Sequence, residues 1–253
     1  MAPPWALEVR GVAKRFGSVE VLADVELTVA PGSAYGIVGP NGAGKSTLFN
    51  VITGDVRADR GTVTLNGEDV TSLAPAARAR AGIGRTYQIP RPFAGMSVFE
   101  NALVCAQQAG HDRAKDPYRS ALEAIDRAGL SALVNVPAGS LRLLDRKRLE
   151  LARALAGHPG LLLLDEVAGG LTEAEVHELV AIVAALKADG ITIVWIEHVV
   201  HALLAVADEL MCLTYGKVLM SGEPKQVMAS PEVREVYLGA APEGDLLAAE
   251  GAA

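Results

Sequence analysis

The sequence predicts an α/β fold, on three observations. Short apolar runs alternate with longer segments of helical character, which argues for strands and helices in separate layers. The first ~70 residues are strand-rich, as are those after the middle of the chain. Between them, roughly Ile89–Gly157 is mostly helical with no convincing strand, so it reads as a helical insertion within the α/β core.

In chain order, the candidate strands are Leu7–Val12, Val25–Val29, Ala34–Val38, Thr62–Leu65, Ile83–Tyr87, Leu161–Leu164, Thr192–Ile196, Leu210–Leu213 and Val218–Ser221. Helices are expected to begin at Lys45, Val98, Tyr118, Asp145, Glu173 and Val200, with shorter ones near Pro224 and Pro231. Thr172, followed by Glu173 and Glu175, supplies a hydroxyl cap and acids favoured by the helix dipole, and Asp189-Gly190 closes that helix. The segment Ala240–Ala253 is rich in Ala, Gly and Glu and is expected to be a flexible tail beyond a domain spanning 1–239.

Composition narrows the function classes. Half of the 253 residues are apolar, enough for a packed core and against disorder. Cys105 and Cys212 have neither a disulfide framework nor a metal-like spacing around them. A net charge of −7 disfavours nucleic acid as a partner. The runs Leu161–Leu164 and Ile191–Ile196 fall far short of the ~20 apolar residues that cross a bilayer. Met1-Ala2-Pro3-Pro4-Trp5 lacks the basic-then-apolar pattern of a secretory signal, so a cytosolic location is expected.

The chemistry concentrates at strand ends. Gly39-Pro40-Asn41-Gly42-Ala43-Gly44-Lys45-Ser46-Thr47 matches GxxxxGK[ST], directly after an apolar strand and opening a helix. Glycines let backbone amides turn around phosphate oxygens, and the helix N-terminus adds its positive end. Lys45 then reaches the β- and γ-phosphates, and the Ser46 hydroxyl can ligate Mg²⁺. Leu161–Leu164 delivers Asp165 and Glu166 to the carboxyl end of a buried strand, where open α/β sheets bind ligands. Asp165 can hold the metal, directly or through water, and Glu166 can polarise an attacking water. Gln88 follows a strand and can touch either the metal or that water. His198 emerges at the same edge, within reach of a γ-phosphate. Phe16 can stack on a base, although an aromatic beside a glycine also suits local packing.

This set resembles the nucleotide-binding subunit of ABC transporters over about residues 7–239, and most nearly the ATPases of branched-chain amino acid importers. The narrower likeness rests on three stretches. They are Gly84-Arg85-Thr86-Tyr87-Gln88 with Pro92-Phe93 and Met96–Asn101; Arg148–Arg153 with Asp165–Leu171; and Glu235–Gly239. Relatives handling urea, aromatic acids or lipopolysaccharide share parts of these. The resemblance implies a P-loop core with an N-terminal antiparallel β part, and ATP and Mg²⁺ as ligands. It makes Phe16 the adenine-stacking aromatic, Gln88 the sensor of metal and membrane partner, and His198 the switch histidine. Gly169–Thr172 becomes the stretch that crosses to a second ATPase subunit, identical or diverged. It further implies membrane-spanning permease subunits docked near Phe93 and Met96, an external substrate-binding protein acting indirectly, and a peripheral place on the cytoplasmic face of the membrane.

The signature segment departs from the family pattern, LSGGQ or L-x-Y-G-[QD]. Leu141-Arg142-Leu143-Leu144-Asp145 puts Arg142 in place of the serine and Leu144 in place of the second glycine. Asp145 is expected to open the following helix. Arg142 either substitutes as a charged donor to the partner's γ-phosphate or is a solvated surface residue. Val167 and Thr172 stand where many relatives have Pro and Asp. A catalytically weakened regulatory subunit, and an ABC ATPase acting on DNA or ribosomes, are the alternative readings.

Overall fold

The computed structural model describes residues 5–108 and 116–238. Two sheets organise it. Strands β1 (Leu7–Phe16) and β2 (Val19–Val29) form an antiparallel hairpin turned at Gly17-Ser18, each longer than its apolar run predicts. Next come β3 (Ala34–Val38), the phosphate-loop sequence, and α1 (Lys45–Thr53). Strands β4 (Arg60–Leu65) and β5 (Glu68–Asp69) extend the hairpin into a four-stranded sheet of order β2-β1-β4-β5.

Helix α2 (Pro75–Ala81) and strand β6 (Ile83–Arg85) lead to the middle segment, which carries α3 (Val98–Gln108), α4 (Pro117–Arg127) and α5 (Leu143–Leu155). Among its described residues there is no strand, only an isolated bridge between Ser97 and Pro137. The chain then returns through β7 (Leu161–Asp165), α6 (Glu173–Ala188), β8 (Thr192–Ile196) and α7 (Val200–Leu204). It continues through β9 (Glu209–Thr214), β10 (Lys217–Gly222), α8 (Pro224–Ala229) and α9 (Pro231–Leu238). The second sheet has the order β10-β9-β3-β8-β7-β6, parallel throughout except for the edge strand β10.

Strands β3, β7 and β8 are buried along their whole length, as a parallel sheet covered on both faces requires. The period of two divides their side chains between two cores. Leu161 and Leu163 pack with Phe49 and Ile52 of α1 and with the first sheet, while Leu162 and Leu164 pack under α5 and α6. Each face is therefore sealed, and the carboxyl ends of β3, β7 and β8 are left to meet at one edge.

Several boundaries differ from the sequence expectation. α5 begins at Leu143, so Asp145 lies inside its first turn and does not open it. α4 begins at Pro117, with Asp116 accepting from the Tyr118 and Arg119 amides. β6 ends at Arg85, leaving Thr86 and Tyr87 beyond the strand. The anticipated cap of α6 is a full capping box, Thr172 and Glu175 each bonding the other's backbone amide. The expected tail Ala240–Ala253, together with Gly239, lies outside the described residues.

Candidate active site

Three glycines shape the loop between β3 and α1, with φ of 150° at Gly39, 80° at Gly42 and 106° at Gly44. A Cβ at Gly39 would stand 2.0 Å from the Leu213 carbonyl oxygen, and one at Gly44 2.7 Å from that of Val21. A Cβ at Gly42 would meet nothing within 4 Å, so the loop is backed on one side and open on the other. Gly44 caps α1 without any side-chain bond, which leaves the helix amides directed toward the open side. Lys45 is almost wholly buried, and its Nζ donates to the Gly39 carbonyl at 2.6 Å and the Pro40 carbonyl at 3.1 Å. Burial pulls its pKa below the usual lysine range, and the nearby Glu166 and Asp165 carboxylates pull it back up. Ser46 is exposed at the start of α1.

The acidic pair lies at the end of β7. Asp165 is the last residue of that strand and is buried; desolvation raises its pKa, against the lowering bond from Arg85. Arg85 Nη2 donates to Asp165 Oδ2 at 3.0 Å. Glu166 leaves the strand with a φ of 48°, a left-handed backbone rarely adopted by a non-glycine residue. Its amide donates to the Ile196 carbonyl at 2.8 Å, and its own carbonyl accepts from Lys147 Nζ at 3.1 Å. Gln88 Nε2 donates to Glu166 Oε2. His198 Nδ1 lies 3.9 Å from that same oxygen. Asp165, Glu166, Gln88 and His198 are therefore brought together at the strand ends, and Lys45 is near enough to feel both acids.

Other residues behave differently. Phe16 ends β1 half-exposed, its ring 5.4 Å from Lys14 Nζ, with no core role. In the signature segment Leu141 and Leu144 are buried, while Arg142 and Leu143 face outward. Leu144 thus packs inward and does not block an approach from outside. Arg142 is the N-cap of α5 and makes no side-chain capping bond. Asp145 pairs with Arg148 at 3.5 Å.

Three contributors escape sequence reasoning. Arg85 holds Asp165, Lys147 holds the Glu166 backbone, and the fully buried Glu197 carboxylate accepts from the amides of Ala168, His198 and Val199. Burial raises the Glu197 pKa, against those amide bonds, which lower it. Arg85 sits within the stretch Gly84–Gln88, but Asp165 is 80 residues away, and Lys147 and Glu197 likewise reach residues 19 and 29 positions distant, Glu166 and Ala168.

A parallel sheet whose strand ends carry a glycine loop, a buried lysine and an acidic pair defines the P-loop nucleoside triphosphatases. The ABC transporter family profile matches residues 22–169. LivG, the high-affinity branched-chain amino acid transport ATP-binding protein of Escherichia coli K12, is 35% identical over 250 residues, covering 93% of this chain and 98% of that protein. BraF, its counterpart by name in Pseudomonas aeruginosa, is 34% identical with the same coverage. LptB, the lipopolysaccharide export system ATP-binding protein of Acidithiobacillus ferridurans, is 36% identical over 233 residues, 92% of this chain and 96% of that one. A solved ABC transporter ATP-binding cassette in its ADP conformation superposes with a TM-score of 0.84 at 32% identity, covering 93% of this chain and 99% of its own. A nucleotide-free cassette gives 0.83 at 32%, covering 92% and 98%. The chain belongs to the ABC transporter family, as an ATP-hydrolysing subunit.

Proposed function

We propose that this chain drives the import of branched-chain or related amino acids. The observation that carries this reading is the similarity to LivG and BraF along 93% of the chain and 98% of each relative. LptB is similar over nearly as much, which keeps lipopolysaccharide movement as a second reading. The test is uptake by proteoliposomes holding the chain with the permease subunits that co-purify with it, supplied with the external binding protein. ATP-dependent accumulation of labelled leucine is the expected result; export of lipopolysaccharide without leucine uptake selects the second reading.

In this reading the loop Gly39–Thr47 and the α1 N-terminus hold the ATP phosphates, Lys45 pairs with the terminal two, and Phe16 stacks on the adenine. Ser46, Asp165 and Gln88 are the oxygen donors that would hold Mg²⁺. Hydroxyl, carboxylate and amide oxygens beside a phosphate cradle suit a hard cation. When bound, Mg²⁺ neutralises charge on the terminal phosphates. Glu166 accepts the proton of the attacking water, held in place by Gln88, and His198 faces the same oxygen. Little covalent chemistry is asked of the protein: positioning and charge do the rest.

Two such subunits close on two nucleotides, each offering Leu141–Asp145 to the other's site and crossing at Gly169–Thr172. The partner ATPase is the same chain or a sister. Among the described residues no helix is long and apolar enough to span a membrane. In this reading the subunit is held peripherally on the cytoplasmic face by its permease. The permease docks over the exposed Phe93 and Met96, and an external binding protein delivers the substrate to it. The unit runs over 1–239, with 89–157 as its helical lever.

Arg142 supplies the charge that the replaced serine would otherwise approximate with its hydroxyl. Arg142→Ala is expected to lower transporter ATP turnover about 10- to 150-fold, in line with ~1.5–3 kcal/mol for a hydrogen bond to a charged group. Unchanged turnover would mean that the α5 amides suffice.

A further inference from the structure

We propose that Arg85 is a positioning residue for the metal-holding acid: it fixes the Asp165 carboxylate toward the divalent cation, and through Tyr87 makes that hold responsive to the loop after β6. This rests on the nucleotide-binding reading above.

Arg85 occupies a junction. Its Nη2 donates to Asp165 at 3.0 Å, and its Nη1 donates to Asn50 Oδ1 at 2.7 Å and lies 3.4 Å from Asp55 Oδ2. Its guanidinium lies over two rings, 5.7 Å from the centre of Phe49 and 5.4 Å from that of Tyr87. The Arg85 and Asp165 side chains are only 10% and 6% exposed, so this is not a screened surface pair. Removing one partner from such a pair strands the other, and the geometry it imposed is lost.

The same short segment grips the second acid too. Thr86 Oγ1 accepts from the Asp165 amide at 3.2 Å, and Gln88 donates to Glu166. Within 85–88, Tyr87 faces outward, about half exposed, whereas Phe49 is fully buried. Of the two rings against Arg85, only Tyr87 can move without repacking the core; it also borders a cleft of about 180 Å³ shared with Asp55 and Arg78. A partner that shifts Tyr87 therefore loosens one wall of the Arg85 seat.

The sign of the effect on metal affinity depends on two opposed terms. A cation beside the site repels a second cation, but Asp55 on the far side of Arg85 offsets its charge. Orientation remains. Groups that hydrogen-bond a ligating carboxylate are worth ~10–100-fold in metal affinity. Losing Arg85 therefore weakens the metal.

The test is ATP binding to the purified full chain by calorimetry, in EDTA and along a Mg²⁺ titration, for wild type, R85M, R85K, Y87L and R85M/Y87L. Affinity in EDTA is expected to hold within about 2-fold throughout, because no phosphate contact is touched. The Mg²⁺ half-saturation is expected to rise about 10-fold in R85M. The rise should be smaller in R85K, which keeps the charge without the planar fork. It should be roughly 3-fold in Y87L, from a lost cation–π contact, with the double variant no worse than R85M. An unchanged half-saturation in R85M with a lowered melting temperature would make Arg85 structural only, and a tighter one would make it a repeller; either overturns the proposal. Additive effects would remove Tyr87 from it. If R85M fails to fold, R85K and Y87L decide by the same titration. If wild type binds ATP equally with and without Mg²⁺, the metal assignment itself fails, before any variant is compared.

Discussion

Replacing Lys45 by alanine is expected to weaken ATP binding by about 30-fold or more and to stop turnover, while the chain stays folded. The ammonium is buried in a loop whose glycines leave no other positive side chain in the cradle, and it is already turned onto the Gly39 and Pro40 carbonyls. Truncating one partner of a desolvated charge pair costs ~2–5 kcal/mol, roughly 30- to several-thousand-fold in affinity. Gly39 and Pro40 are only partly buried and the Pro40 carbonyl keeps the Ala43 amide, so little stability should go with it. The check is the shift of melting temperature by ATP, large for wild type and absent for Lys45→Ala. A variant that keeps the full shift would show that the loop amides alone carry the nucleotide, and the assignment of this lysine would fall.

Glu166→Gln is expected to lower turnover by ~100- to 10,000-fold, the usual range for losing a general base, without loss of ATP affinity. The amide keeps the shape of the side chain and a hydrogen-bonding oxygen toward Gln88, but it cannot take a proton. Nucleotide is then trapped before hydrolysis, so size-exclusion chromatography with Mg·ATP should show a stable dimer. A monomer at saturating Mg·ATP would favour the regulatory reading of the altered segment Leu141–Asp145. Turnover near wild type would instead remove Glu166 from the base role.

The phosphate loop, both acids and His198 are legible in the sequence because each belongs to a contiguous pattern tied to a strand end. Their convergence follows from parallel strands sharing one carboxyl edge, so the fold class already implies it. Arg85 is different. Its letters stand in a notable stretch, but its partner is 80 residues away and nothing local says which acid it meets. Lys147 stands between Arg146 and Arg148 with no local signal that sets it apart, yet it is buried and reaches back to the Glu166 carbonyl just past a strand end.

Secondary structure fails where hydrophobic periodicity is weak. Helix α2 carries Pro75, alanines and two arginines with no apolar stripe; its fixing contact is Arg78, buried and donating to the Val51 and Ile52 carbonyls that end α1. The two-residue strand β5 is wholly acidic, and only its pairing with β4 makes it a strand. The start of α5 is misplaced because Asp145 looks like a cap, whereas Leu144 must enter the core one residue earlier.

The backing of the phosphate loop bears on how tightly a ligand can be gripped. Gly39 rests against the Leu213 carbonyl, Gly44 against Val21, and the Gly216 amide bonds the Ala43 carbonyl at 2.9 Å. Freezing a free backbone costs ~1–2 kcal/mol per residue, and here that entropy is surrendered during folding, before any ligand arrives. Nucleotide therefore meets a rigid mould, and the hairpin joining β9 to β10 becomes a place where a substitution far from every phosphate would soften the grip.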